Sequence, residues 1–150
     1  MESHVILSPV LEVLTRLEFY EKQQDRRGRR KSNEHLNLAV DELQRMMKGQ
    51  LISGKDVIRI LLFVWANCDG YDQNFFPSKI EYDDDVKVFL KRFRVSTEAF
   101  IRVISRCDLV HDLRWVLKDV NDTYLNERIT SAVLLLSQNE ASVQLSLIHI

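Results

Sequence analysis

Short apolar runs recur along the chain, and each follows a residue that favours the start of a helix. The longest run, Val57 to Trp65, comes after Ser53-Gly54-Lys55-Asp56, which has the spacing of a capping box with Asp in place of Glu. The run is apolar nearly all round, so we expect a central buried helix. A β-strand is the alternative for its β-branched residues, but the length of the run and the cap favour a helix.

The other apolar stripes follow polar or proline starts at helical spacing. Ser8-Pro9 opens a first helix that should end near Asp25, and Ser32 or Asn33 opens a second that Gly49 ends. Later starts are Glu81 to Asp85, Ser96 or Thr97, Asp108, and Asn121 or Asp122. The pattern predicts an all-α fold of about seven short helices, arranged as a globular bundle or a short α-solenoid.

Composition agrees with one globular domain that spans residues 1–150. The chain is 45% hydrophobic and 29% charged, and four glycines and two prolines are too few for a fold of many strands and turns. A net charge of -1 gives no whole-molecule argument for binding nucleic acid or an anionic membrane. The apolar and partly alternating tail, residues 139–150, has three interpretations: a packed terminal segment, a short strand, or the start of a region that a longer protein continues.

The N-terminal sequence and the two cysteines indicate which cellular compartment to expect. The N-terminus lacks a secretory signal, and the stretch from Val57 to Ala66 is interrupted by Arg59 and too short to span a bilayer. Cys68 and Cys107 are too far apart in sequence to indicate a disulfide framework or a Cys-x-x-Cys site. We therefore expect a cytoplasmic or nuclear protein without membrane partners.

No motif commits the chain to catalysis. A Gly-rich phosphate loop, Gly-x-Ser-x-Gly and His-Glu-x-x-His are all missing from the sequence. The four histidines are scattered, and no pair has metal-ligand spacing on a helix. We expect no enzymatic activity, no catalytic residues, no metal and no cofactor.

A basic loop near 25–32 is one candidate functional segment. It holds five cations in six residues: Arg26, Arg27, Arg29, Arg30 and Lys31. Such a run can contact phosphates of nucleic acid or act as a nuclear-import signal, and the alternative is a solvated connector between two helices. Ser32 follows basic residues at a helix start, where a phosphate is electrostatically favoured, so it is a candidate phosphorylation site.

Aromatic residues give the candidates for binding a protein partner. A long aromatic and acidic loop near 69–84 carries Tyr71, Phe75 and Phe76, which either form a docking surface or fold over the core. Trp115 is flanked by Arg114, and the inward face of its helix is already supplied by leucine and valine. Trp115 is therefore expected at the surface, where a tryptophan can anchor a partner.

These observations favour an interaction protein. In size and helix content the chain is similar to viral Bcl-2-like proteins and armadillo-type adaptors, although Val64-Trp65-Ala66-Asn67 does not match the Asn-Trp-Gly-Arg signature of the Bcl-2 family. The run Leu134 to Leu136 exceeds what one buried stripe needs. We expect a non-enzymatic adaptor, scaffold or self-association domain that binds a partner helix or peptide in an apolar groove, or itself as a homodimer. The alternative is a nucleic-acid-binding domain that uses Arg26–Lys31.

Overall fold

The computed structural model describes residues 4–25, 33–68 and 79–139. Within these ranges the chain forms seven α-helices and two three-residue strands, which confirms the all-α prediction. The helices are α1 Leu11–Asp25, α2 Glu34–Lys48, α3 Gly54–Cys68, α4 Asp84–Arg92, α5 Thr97–Arg106, α6 Val110–Val120 and α7 Thr123–Asn139, and the strands are β1 His4–Ile6 and β2 Lys79–Glu81. A single turn of 3-10 helix, Ser8–Val10, precedes α1 and contains the predicted proline in its first positions.

Helix α3 lies at the centre of the core. The segment is helical throughout, so the strand alternative is wrong, and Val57, Ile58 and every residue from Ile60 to Ala66 are buried. The capping box forms only in part. The Ser53 hydroxyl accepts the Asp56 backbone N–H at 3.2 Å, but the Asp56 carboxylate pairs with Arg59 at 2.7 Å instead of completing the box.

The helices of the described residues pack around one hydrophobic core. Helix α1 lies against α2, and contacts also join helices far apart in sequence: α2 with α5, and α3 with α6. Each of these two contacts joins a helix to the one three places further along the chain, which both a compact bundle and a short solenoid of three-helix repeats allow. A side-chain hydrogen bond of 2.8 Å, from the Trp65 indole N–H to the Thr97 hydroxyl, ties α3 to the start of α5.

The two strands were not anticipated from the sequence. They pair in parallel, with Val5 opposite Ile80, and the Leu7 N–H extends the pairing by donating to the Glu81 carbonyl at 2.9 Å. Three residues are too few for a period-of-two pattern to stand out. Parallel pairing also joins segments more than seventy positions apart, which local patterns do not reveal.

Most predicted helix starts are confirmed by their capping hydrogen bonds. The side chains of Asp83, Ser96 and Asp122 accept the backbone N–H groups three residues on, at 2.9, 3.1 and 2.9 Å. Asn33 precedes α2 but makes no side-chain capping bond. The prediction for Asp108 is wrong: it ends α5 with a φ of 58° and donates its N–H to Ser105 O, so it closes one helix rather than capping the next.

The end of α2 differs from the prediction in a similar way. Gly49 has a φ of -77°, and it is Gln50 that takes the left-handed conformation, with a φ of 58°. The Gln50 and Leu51 N–H groups donate to the Met47 and Met46 carbonyls at 3.0 and 2.9 Å, which is the Schellman pattern. A side chain with a Cβ therefore occupies the position where glycine is favoured.

Gln50→Gly should stabilise the protein by about 1 kcal/mol, because glycine adopts the left-handed conformation without the steric cost of a Cβ. Gln44→Gly is the matched control, since Gln44 is exposed within α2. There the same exchange should destabilise by about 1 kcal/mol through lost helix propensity. Urea unfolding measures the change in the free energy of unfolding for both variants. If both changes have the same sign, Gln50 does not occupy the left-handed position at the end of α2.

Candidate functional site

The structure describes one of the residues predicted to act in binding. Trp115 lies on α6 and is 45% exposed, as expected for a surface anchor. The other candidates lie outside the described residues and remain predictions: Tyr71, Phe75, Phe76, Arg26, Arg27, Arg29, Arg30, Lys31 and Ser32.

Cations from α3 hold the Trp115 ring. The Lys55 ammonium lies 4.1 Å from the ring centroid, and the Arg59 guanidinium carbon lies 5.6 Å from it. Lys55 and Arg59 are four residues apart on α3, so one helix face presents both. Distances of this size allow cation–π attraction to the indole. Trp115 is therefore an exposed ring whose position is fixed by a neighbouring helix.

A glycine allows α3 and α6 to come close together here. A Cβ built on Gly54 would lie 2.9 Å from the Asp112 Oδ2 and 2.9 Å from the Leu109 Cδ2, so any larger residue would force these side chains to move. The Asp112 carboxylate thus sits at the N-terminal end of α3, where the helix dipole favours a negative charge.

A second exposed surface runs along α7. Leu134 and Leu135 are 51% and 60% exposed, whereas Leu136, the last residue of the predicted apolar run, is buried. Tyr124 is also exposed, and its spacing of eleven residues from Leu135 puts both on one helix face. We call Tyr124, Arg128, Ser131, Leu134 and Leu135 the α7 face. Sequence analysis found its leucines and missed Tyr124, which the same spacing identifies.

The α7 face borders a depression of about 390 Å³ between α7 and the start of α5. Thr97 and Ala132 line it together with residues of the α7 face. The Thr97 hydroxyl accepts the hydrogen bond from the buried Trp65, and the Arg128 guanidinium lies 5.9 Å from the Trp65 ring centroid. Two residues that line the depression therefore contact Trp65 of the central helix α3.

Two observations concern metal ligands and thiols among the described residues. Within residues 4–25, 33–68 and 79–139, no three His, Cys, Asp or Glu side chains are grouped so that they could hold a metal ion. Burial raises the pKa of the Cys107 thiol to about 11, while Arg106 lowers it and Asp41 raises it further. A thiol with a pKa this high is a weak nucleophile at neutral pH.

A helix needs about 20 predominantly apolar residues to cross a bilayer. In the part of the chain that the structure describes, every helix is too short or too polar to cross a membrane.

Comparison with known proteins gives no relative from which a function could be transferred. No family model matches the chain, and no significant match is found among curated proteins or among solved structures. Among the described residues, the exposed aromatic and leucine side chains of α6 and α7 are the candidate binding surfaces.

Proposed function

We propose that the protein is a non-enzymatic interaction domain whose α7 face docks an amphipathic helix, and that the docked helix is α7 of a second copy. The observation that carries this proposal is the pair of exposed leucines Leu134 and Leu135, of which Leu135 lines the depression between α5 and α7. Contiguous exposed apolar surface on a globular domain is typical of an interaction site. A homodimer formed in this way would serve as a scaffold.

The charges of α7 favour a copy of itself as the occupant. Glu127 and Arg128 line the same depression, so the surface carries one acid and one base and has no excess charge to attract a charged partner. Another α7 offers the same balanced charges and the same leucines. Such a surface is self-complementary, as a two-fold interface requires.

The dimensions of α7 also suit helix–helix docking. Its 17 residues extend for about 25 Å at 1.5 Å per residue, enough for several turns of contact. Ser131 and Ala132 lie between Tyr124 and Leu135, and small side chains at the crossing point let two helix axes come within the usual 8–10 Å.

We further propose a cytoplasmic or nuclear location. Neither Cys68 nor Cys107 forms a disulfide, which is consistent with a reducing compartment. Imaging of a fluorescent fusion tests this part of the proposal, and secretion of the fusion would contradict it.

Leu135→Glu should raise the dimer dissociation constant at least tenfold, because it places a charge in an apolar interface. Val88→Glu is the matched control: Val88 is exposed to a similar extent, 62%, but lies on α4. Sedimentation equilibrium of both variants measures the constant. If both variants weaken the dimer equally, or neither does, α7 is not the interface.

A further inference from the structure

We propose that Ser131 is a phosphorylation site for a basophilic protein kinase, and that a phosphate there separates the two copies that dock through the α7 face. The inference rests on the dimer proposed above, because it names how that dimer is regulated. Ser131 belongs to the α7 face, is exposed and lines the depression between α5 and α7. A charge added at this position therefore lies inside the proposed interface.

The residues before Ser131 have the spacing that a basophilic kinase reads. Arg128 lies three positions before Ser131, and both side chains are exposed. Kinases of this class select substrates by basic residues at fixed distances before the serine. Within the described residues, one other serine, Ser105, has an arginine at the same distance, Arg102. The chain thus carries the same spacing on two different helices.

Packing decides which of the two serines a kinase can reach. A kinase binds its substrate as an extended chain, so the helix around the serine must first open locally. The Arg102 guanidinium pairs with Glu98 at 2.6 Å, and the Arg102 side chain is only 11% exposed. Opening α5 around Ser105 would also expose core residues, namely Ala99, Phe100, Ile101, Val103 and Ile104.

The second half of α7 is held by fewer apolar contacts. From residue 130 to residue 136, Leu136 is the one buried side chain, and Ala132 and Val133 are half-buried. Local opening costs least where few buried apolar contacts hold a segment. We therefore expect this part of α7 to open far more often than α5 does, and to present Arg128 and Ser131 to the kinase.

The reaction joins a phosphate to the Ser131 side chain. The Ser131 Oγ attacks the γ-phosphorus of ATP, the bond from that phosphorus to the β,γ-bridging oxygen breaks, and ADP leaves. The hydroxyl proton passes to the catalytic base of the kinase. The phosphoserine then carries a charge of about −1.5 to −2 at pH 7.

This charge removes the balance that favours self-association. In the unmodified chain Glu127 and Arg128 line the depression with opposite charges, and the phosphate changes their sum from zero to about −2. Ser131 lies where the two α7 helices are proposed to cross, so the phosphates of the two copies come close together. Like charges that face each other across an interface oppose binding. Because the dimer covers Ser131, the kinase modifies the dissociated chain and keeps it monomeric.

The first measurement identifies the modified serine. The full chain is incubated with ATP and the catalytic subunit of cyclic-AMP-dependent protein kinase, and mass spectrometry follows Ser105 and Ser131 separately. Each rate is divided by that of a synthetic peptide with the same ten residues, which removes the preference of the kinase for the sequence. We expect the corrected rate at Ser131 to be at least ten times that at Ser105. Equal corrected rates, or no phosphate on Ser131, would overturn the inference.

The second measurement is the dissociation constant of the dimer, obtained by sedimentation equilibrium. Ser131→Glu should raise the constant at least tenfold, and added salt should reduce this difference because it screens the repulsion. Thr130→Glu is the matched control: Thr130 is the adjacent exposed residue, but it lines the depression where α6 turns into α7. There the same charge should change the constant less than twofold. The phosphorylated chain, measured in the same way, gives the effect without a substitution.

The outcomes separate this inference from the proposed function. If the unmodified chain is monomeric at every concentration, the proposed dimer and its regulation both fail. If the unmodified chain dimerises and Ser131→Glu and Thr130→Glu weaken the dimer equally, or neither weakens it, the dimer stands and the regulation by Ser131 is wrong. A phosphorylated chain that dimerises as tightly as the unmodified one leads to the same conclusion.

Discussion

Trp65→Ala is expected to lower the free energy of unfolding by about 3–5 kcal/mol. Trp65 lies on α3 and is only 2% exposed, so truncation would open a large cavity in the centre of the core. It would also remove the 2.8 Å hydrogen bond to Thr97 and leave that hydroxyl without its donor. Urea unfolding followed by circular dichroism measures the loss.

The chain provides its own control for this change. Trp115→Ala removes the same side chain from an exposed position on α6, where the surface cation–π contacts with Lys55 and Arg59 are lost, so the cost should be about 1 kcal/mol. Trp65→Phe should cost about 1 to 2 kcal/mol, since it keeps most of the packing but not the hydrogen bond. Equal losses for Trp65→Ala and Trp115→Ala would mean that α3 is not the centre of the core.

Cys107 is expected to react with iodoacetamide at pH 7 at least one hundred times more slowly in the folded chain than in urea. Burial raises the pKa of its thiol from 9.0 to about 11, which reduces the reactive thiolate about a hundredfold, and burial also blocks access. Mass spectrometry of Cys68→Ala isolates this rate, and Cys107→Ala isolates that of the half-buried Cys68. Rapid labelling of Cys107 in the folded chain would contradict its buried position.

The same pKa shift predicts how stability depends on pH. The folded state favours the neutral thiol, so this contribution is fully present below pH 9.0 and is lost as the pH rises through about 11. The size of the loss is about 2 to 3 kcal/mol for a shift of this magnitude. The loss should be smaller in Cys107→Ala, and unfolding curves of the two proteins between pH 8 and 11 test this.

Sequence alone predicted much of the fold because local signals dominate a helical chain. The all-round apolar run of α3 and the capping side chains Asp83, Ser96 and Asp122 each act within a few residues, and each is confirmed. The wrong predictions concern residue types that suit either the start or the end of a helix. Asp108 is a good cap by type, but it also tolerates the left-handed conformation that ends α5.

The candidate surfaces were less accessible to sequence analysis. Trp115 was expected at the surface because the rest of α6 already filled the core, and that is confirmed. Its cations could not be foreseen, since Lys55 and Arg59 reach it only through the packing of α3 on α6. The depression under α7 depends likewise on Thr97, which belongs to a different helix. Such pairings are properties of tertiary structure and leave no local pattern.

The most direct test of the proposed self-association is the mass of the full chain, measured by light scattering during size exclusion at low and at high salt. An interface made by the leucines of α7 buries apolar surface. Salt screens charges, so high salt should not dissociate the dimer. We predict a particle of twice 17.7 kDa in both buffers. A mass of 17.7 kDa in both buffers, unchanged as the protein concentration is raised, would contradict docking between two copies of α7.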